Sequence, residues 1–273
     1  MSTIIDNDLS GVGDILYDWS VTVPGDGDRG ASEAAISEQT RRQWKPNNEG
    51  KRCFLMIGFA KQVWEALKIL DAADVDKPGA SSEVVEIYSL RVVSKLLAGK
   101  PEGWNREHLW PRSYGLMSGP SLTDLHNIRP ADVNVNSSRG NKFYGECHVS
   151  SSNCRKPATR ESAFDTEADK ERWAPPRQVR GDIARAIMYM AVCYGVNQSG
   201  RGLNLHLSDS PNIANKEMGM LSTLLKWNEI DPPSREEKLR NERICIKYQH
   251  NRNPFVDHPE YANRIWKHVV PRR

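Results

Sequence analysis

Between Trp104 and Tyr144 the chain gathers the side chains best suited to do chemistry. The stretch opens with Trp104-Asn105-Arg106-Glu107-His108-Leu109-Trp110-Pro111 and closes with Asp124-Leu125-His126-Asn127-Ile128-Arg129-Pro130-Ala131-Asp132-Val133-Asn134-Val135-Asn136-Ser137-Ser138-Arg139-Gly140-Asn141. A carboxylate such as Glu107 is a hard oxygen donor for a small divalent cation. A neutral imidazole such as His108 is the commonest general base near pH 7. Asparagine amides add neutral oxygen donors, and arginines grip phosphate. Together these are the parts needed to hold Mg²⁺, deprotonate a water and steady a phosphate ester.

Elements must bring those parts together. Neighbours on a regular strand point to opposite faces, so Glu107 and His108 serve one site only where the strand ends or twists. Pro111 breaks the pattern soon after. Leu125 to Arg129 reads as a second short strand. Asp132 is a good N-cap for a short helix over Val133 to Arg139, which would carry Asn136. Strand, loop, strand and helix, with one ligand at each end, is the ββα-metal or His-Me finger arrangement. The expected fold class is α+β, a mainly helical frame around that small catalytic core.

The frame is read from periodicity. Phe54 to Ala73 is expected to be helical, with Phe59, Val63, Leu67 and Leu70 on one face. Val84 to Ser89 reads either as a strand or as the start of a helix running to Leu97, and Gly99 and Pro101 end it. Arg180 to Tyr194 is expected as a helix with Ile183, Ile187, Met190 and Tyr194 on its core face and Gly195 as its cap. Met218 to Trp227 forms another. Ser234-Arg235-Glu236-Glu237 is a capping box that starts a further one. Asp257-His258-Pro259-Glu260 is expected to start the last helix, with Asp257 as cap, and His258 belongs to that cap. Ser150 to Arg177 is polar and reads as a long surface loop.

Composition narrows the classes. The 273 residues fit one large domain or two small ones. A net charge of +3 says little about a polyanionic partner. A mean hydropathy of −0.64 without a long apolar run argues against a membrane span. Met1 to Asp8 has neither a basic n-region nor an apolar h-region and does not read as a signal peptide. Residues 1–50 are rich in Gly, Asp and Ser and are expected to form a partly irregular N-terminal arm. Gly25 to Gly30 reads as a plain turn, because Ala31 and Ser37 fall where a calcium loop needs its glycine and last glutamate. The cysteines are Cys53, Cys147, Cys154, Cys193 and Cys245, an odd count. Cys147 and Cys154 flank a polar turn that would suit a short disulfide loop, but the preferred expectation is reduced, buried thiols.

The two halves of the central stretch resemble the bacterial endonuclease I family of non-specific nucleases. Gly181-Asp182-Ile183-Ala184-Arg185-Ala186, Leu225-Lys226-Trp227 and Asn251-Arg252-Asn253-Pro254-Phe255-Val256-Asp257-His258-Pro259-Glu260 look like that family too, in the same order. The resemblance spans roughly residues 50 to 270 and implies a single nuclease domain over 51–273, with its core at about 104–144. It implies Glu107 and Asn136 as Mg²⁺ ligands, with Mn²⁺ or Ca²⁺ as alternative occupants, and His108 as the general base. It implies an arginine on the scissile phosphate, with Arg129 and Arg139 favoured over Arg106 and Arg112. His126 and Asn127 read as scaffold, or as support behind the ligands. The implied substrates are DNA and RNA, cut with little sequence preference to 5′-phosphate and 3′-hydroxyl ends.

Two alternatives stand beside this reading. One is a structure-selective nuclease or RNase. The other is a catalytically inactive nucleic-acid-binding module on the same fold, against which the retained Glu107, His108 and Asn136 speak. A zinc site is disfavoured because Glu and Asn are not zinc's preferred ligands. The family is usually periplasmic or secreted, which leaves three expectations for this chain: a missing leader, delivery as a toxin with an inhibitor or immunity partner, or a role against foreign nucleic acid.

Overall fold

The computed structural model describes residues 60–267, apart from 117, 149 and 196–202. The expected N-terminal arm, the Gly25 to Gly30 turn, Cys53, the start of the first helix and Arg272-Arg273 lie outside the described residues. The fold is α+β, with small separate sheets among helices. Among the described residues no helix is long and apolar enough to cross a membrane.

Helix α1 (Ala60–Leu70) buries Val63, Ala66, Leu67 and Leu70. They pack with Val84, Trp104, Leu125, Ile128 and Ile244 into the core beneath the central stretch. The ambiguous segment after it resolves into an antiparallel pair, β1 (Glu83–Val85) and β2 (Val92–Ser94), joined by a turn at Glu86–Leu90 rather than by a helix. Next come β3 (Trp104–His108) and β4 (Ile128–Asp132), then α2 (Val133–Arg139). The second strand therefore starts three residues later than the apolar run Leu125 to Arg129 suggests, because Asp124 to Asn127 form a turn closed by Asn127 N donating to the Asp124 carbonyl.

The polar segment 150–177 is not a structureless loop. Its strands β6 (Glu167–Ala168) and β7 (Arg172–Ala174) join β5 (Phe143–Tyr144) in a sheet ordered β5-β7-β6. Trp173 is its buried anchor, packed edge-on against Tyr88 at 5.4 Å. The expectation of reduced thiols fails at Cys147 and Cys154, which form a disulfide. The turn closed by Ser151 N on the His148 carbonyl brings their Cα atoms to 5.9 Å, and neither residue is in the core.

Helix α3 (Arg180–Tyr194) has the expected bounds but is buried on nearly every face, since Ala184, Met188 and Tyr189 are covered as fully as Ile183 and Ile187. Its start is capped from a distance, by the Asp231 carboxylate accepting from Gly181 N. Gly195 does not supply a left-handed cap, for its φ is −67°. Two further bounds shift, and one capping pattern differs. Glu217–Met218 is β9, paired with β8 (His206–Leu207), so α4 begins later, at Leu221, and ends at Ile230. Ser234 caps α5 (Arg235–Ile244) by accepting from Glu237 N, but the Glu237 carboxylate clasps Arg185 instead of returning the bond. Asp257 ends the short helix α6 (Pro254–Asp257) and binds Arg252 and Asn241, so it does not cap the last helix, α7 (Tyr261–Trp266).

Candidate active site

The hairpin of β3 and β4 is antiparallel, with Glu107 opposite Arg129 and His108 opposite Ile128. Alternation puts Trp104 into the core and turns Asn105 and Glu107 to the other face. β4 passes straight into α2 because the Asp132 carboxylate accepts from Asn134 N and Val135 N. Asn136 lies within that helix, and its Nδ2 donates to Asn105 Oδ1 at 2.5 Å. That bond fixes the amide, so the Asn136 oxygen remains as an acceptor. Gly140 ends the helix at φ +56°, where a side chain would be strained.

Glu107 is 3 % exposed. Its Oε1 accepts from the Tyr88 hydroxyl at 2.7 Å and faces Arg139 Nη1 at 3.2 Å. The Tyr88 and Tyr144 hydroxyls are hydrogen-bonded at 2.6 Å, and the Arg139 guanidinium lies over the Tyr144 ring at 4.6 Å. Burial raises the Glu107 pKa, and Arg139 and Tyr88 offset that only in part. A buried carboxylate left above its ordinary range is one to which a cation would bring a large gain. Its carboxylate and the Asn136 amide are both hard oxygen donors, a chemistry that would suit Mg²⁺ or Ca²⁺ rather than zinc.

β3 ends at His108, as a shared site requires. Leu109 N donates to the Asn127 carbonyl, and Trp110 N to Asn127 Oδ1, which closes the hairpin mouth. His108 is half-buried, and its Nε2 meets the Leu122 carbonyl at 2.9 Å. A carbonyl partner requires a proton on Nε2, so in the neutral ring the lone pair is on Nδ1. Burial lowers the His108 pKa; the Leu122 bond opposes this, and the charges of Arg112 and Arg106 add to it.

The two favoured arginines are both engaged. Arg129 binds Asp71 at 2.6 Å and Asp182 at 2.8 Å. Arg139 is 1 % exposed and donates to the main-chain carbonyls of Leu109, Gly140 and His108 besides facing Glu107. Arg106 lies over the Trp64 ring at 4.9 Å. Arg112 is different: it is exposed, follows His108 closely in the chain, and has no ion-pair partner among the described residues. His126 is buried on Tyr189 with its Nε2 near the Asn251 carbonyl. Asn127 is buried and bonds Trp110 in both directions. Both of them brace the backbone, and none of their hydrogen bonds goes to Glu107, His108 or Asn136.

Sequence reasoning missed Tyr88, Tyr144, Asn105 and the position of Arg112. Asn105 had a signal, since residues two apart on a strand share a face. The tyrosines had none, because Tyr88 reaches Glu107 from a distant segment and Tyr144 meets it only through Tyr88.

The sequence model of the Endonuclease I family matches residues 55–260. The extracellular ribonuclease of Bacillus amyloliquefaciens is 42 % identical over 75 % of this chain and 67 % of its own length. That of Bacillus subtilis (strain 168) is 40 % identical over 77 % of this chain and 69 % of its own. A periplasmic deoxyribonuclease of Aeromonas hydrophila is 29 % identical over 49 % of this chain and 47 % of its own.

Proposed function

The chain belongs to the endonuclease I family and is a phosphodiester-hydrolysing nuclease, and from that premise we propose that it is a Mg²⁺-dependent endonuclease of low sequence specificity acting on RNA and DNA. The observation that carries the metal reading is Glu107, buried and incompletely neutralised on β3, beside a helix whose Asn136 amide is oriented by Asn105. The hairpin β3–β4 followed by α2 supports the ββα-metal reading of the core. Glu107 and Asn136 are the proposed ligands.

The bound cation would supply charge neutralisation at the phosphate and at the leaving 3′ oxygen. The rest falls to side chains. His108, held through Nε2 by Leu122, takes the proton of the attacking water at Nδ1. Its depressed pKa keeps the base neutral in mildly acidic solution. Arg139 ties the end of β3 to the end of α2 and so sets the distance between the two ligands. Arg112 is the arginine placed to meet a phosphate, since Arg129 and Arg139 are committed to internal partners. The ends produced are 5′-phosphate and 3′-hydroxyl.

The Bacillus relatives, both named ribonucleases, favour a second reading in which RNA is the preferred substrate. One experiment addresses both. Supercoiled plasmid and a structured RNA are incubated with wild type and His108→Ala, in Mg²⁺ and in EDTA. Wild type cleaves in Mg²⁺ only, and His108→Ala is slower by about 10²–10⁴-fold. Cleavage that persists in EDTA would remove the metal, undiminished cleavage by the variant would remove the base, and intact plasmid beside degraded RNA would narrow the enzyme to an RNase.

A further inference from the structure

Phe164 is the one exposed aromatic side chain among the described residues, with 78 % of its surface open to solvent. It does not hang on a loose loop. Thr166 N donates to the Ala163 carbonyl at 3.0 Å, so Phe164 and Asp165 are the corner residues of a β-turn. The base of that turn is pinned. Ala163 N donates to the Tyr88 carbonyl at 3.0 Å, Thr166 Oγ1 reaches the same carbonyl at 3.5 Å, and Ala158 N donates to the Thr166 carbonyl at 2.8 Å. Thr166 and Ala158 are buried. Tyr88 is also the residue whose hydroxyl donates to Glu107. The turn that presents Phe164 is therefore linked to Glu107 through one tyrosine and a hydrogen bond at each of its ends.

The charge around the ring is uneven. Arg155, Arg160 and Arg177 are exposed, and none has an ion-pair partner among the described residues. Of the acids in this segment, Asp165 is buried and accepts from Arg177 N, Glu167 pairs with Lys156, and Glu161 is the remaining one, half-buried. Arg155 also acts on Lys142, whose pKa is lowered by burial and then by the charges of Arg155 and Arg139. Arg155 and Arg139 are thus both near enough to Lys142 for their charges to interact with it.

A rigid, solvent-facing ring beside unpaired guanidinium groups is the usual platform for a single-stranded nucleic acid, because an unpaired base offers its whole face while a paired one does not. We infer that Phe164 stacks on an unpaired base of the substrate, next to the phosphodiester presented to Glu107 and His108, while Arg155 and Arg160 hold neighbouring phosphates. This would make the enzyme favour single strands and loops over duplex. It rests on the nuclease reading above.

Binding of a fluorescently labelled single-stranded oligonucleotide, followed by anisotropy in EDTA at low salt, tests it without turnover. Phe164→Ala should weaken binding roughly tenfold, and Phe164→Trp should restore it. With the same strand made abasic, all three proteins should bind alike. The platform is refuted if Phe164→Ala binds the intact strand within twofold of wild type, if Phe164→Trp is as weak as alanine, or if the loss is equal on the abasic strand. Cleavage of the intact strand by wild type in Mg²⁺ is scored separately. Normal cleavage with no effect of Phe164→Ala removes the platform alone, whereas the expected binding pattern without cleavage removes the nuclease reading alone.

Discussion

Two groups of buried charges share the β3–β4 hairpin, and two of their carboxylates, Asp71 paired with Arg129 and Glu107 opposite Arg129, are neutralised to different degrees. Arg129 on β4 belongs to one. There Asp71 is held by Arg129 and Arg240, Asp182 by Arg129 and Arg185, and Glu237 by Arg185. Burial alone would raise the Asp71 pKa, yet the charges of Arg240 and Arg129 carry it below the ordinary carboxylate range. Glu107, directly opposite Arg129 in the register, belongs to the other group. Its one arginine gives most of its donors to main-chain carbonyls, and burial wins. The first group holds α1, β4, α3 and α5 together through three arginines, although one of its carboxylates, Glu237, is also raised by burial and by Asp182. The second is left short of positive charge on the strand that carries the proposed metal ligand Glu107. On the reading proposed above, the first is a structural ion network and the second is the metal site.

That comparison is broken most directly by paired neutral substitutions. Glu107→Gln should lower kcat by about a thousandfold or more, the several kcal/mol expected of a lost metal contact, with a melting temperature near that of wild type. Asp71→Asn should do the reverse. Removing one partner of a buried ion pair costs about 3–5 kcal/mol, roughly 10 °C for a domain of this size, while folded molecules keep their turnover. Scanning calorimetry and initial rates on one substrate give both numbers for each variant. If Glu107→Gln melts as low as Asp71→Asn, Glu107 is a structural ion and the distinction fails.

What could be read from the chain and what could not divides along the same line. Asp132 capping α2, Asn136 inside it and Glu107-His108 at a strand end are local patterns, each contained in a few residues, and they appear where periodicity and capping rules put them. The arginines are another matter. Whether Arg129 or Arg112 is open to a ligand depends on Asp71 and Asp182, which come from α1's end and from α3. No pattern within the central stretch carries that information. Tyr88 reaches Glu107 for the same kind of reason, through a turn that periodicity left undecided between strand and helix. The disulfide follows from the polar turn between Cys147 and Cys154, a local geometric fact, whereas an odd cysteine count bears only on the chain as a whole.

The two histidines sharpen the contrast with pH. His126 is sealed against Tyr189, and burial lowers its pKa to about 4. A folded pKa below the unfolded one means that, as pH falls from 6.5, the unfolded chain takes up a proton the fold refuses. Stability from this group is then lost as pH drops, by about 3 kcal/mol near pH 4. Glu237, raised above the ordinary carboxylate range by burial and by Asp182, contributes with the opposite sign, so the informative quantity is wild type minus His126→Gln. Urea unfolding at pH 7.5, 6 and 5 should show that difference shrinking toward acid. A constant difference would mean that His126 is not held neutral. His108 should behave otherwise: being half-buried, it should set the acid limb of the rate below pH 6.5 with little effect on stability.

The smallest effect tests how finely Glu107 is tuned. Tyr88→Phe removes the hydroxyl that donates to Oε1 and leaves the ring packed on Trp173. A hydrogen bond to a charged group is worth about 1.5–3 kcal/mol, and this one favours the ionised carboxylate. Without it the Glu107 pKa should rise further, so protons compete with the proposed cation to higher pH. Calorimetric titration with Mn²⁺ should then show weaker affinity than wild type, with the loss growing as pH falls. A Tyr88 that serves only as packing would leave the Mn²⁺ affinity and its pH dependence unchanged. That result would shift the tuning to Arg139 alone, whose guanidinium would then be the one internal charge Glu107 feels.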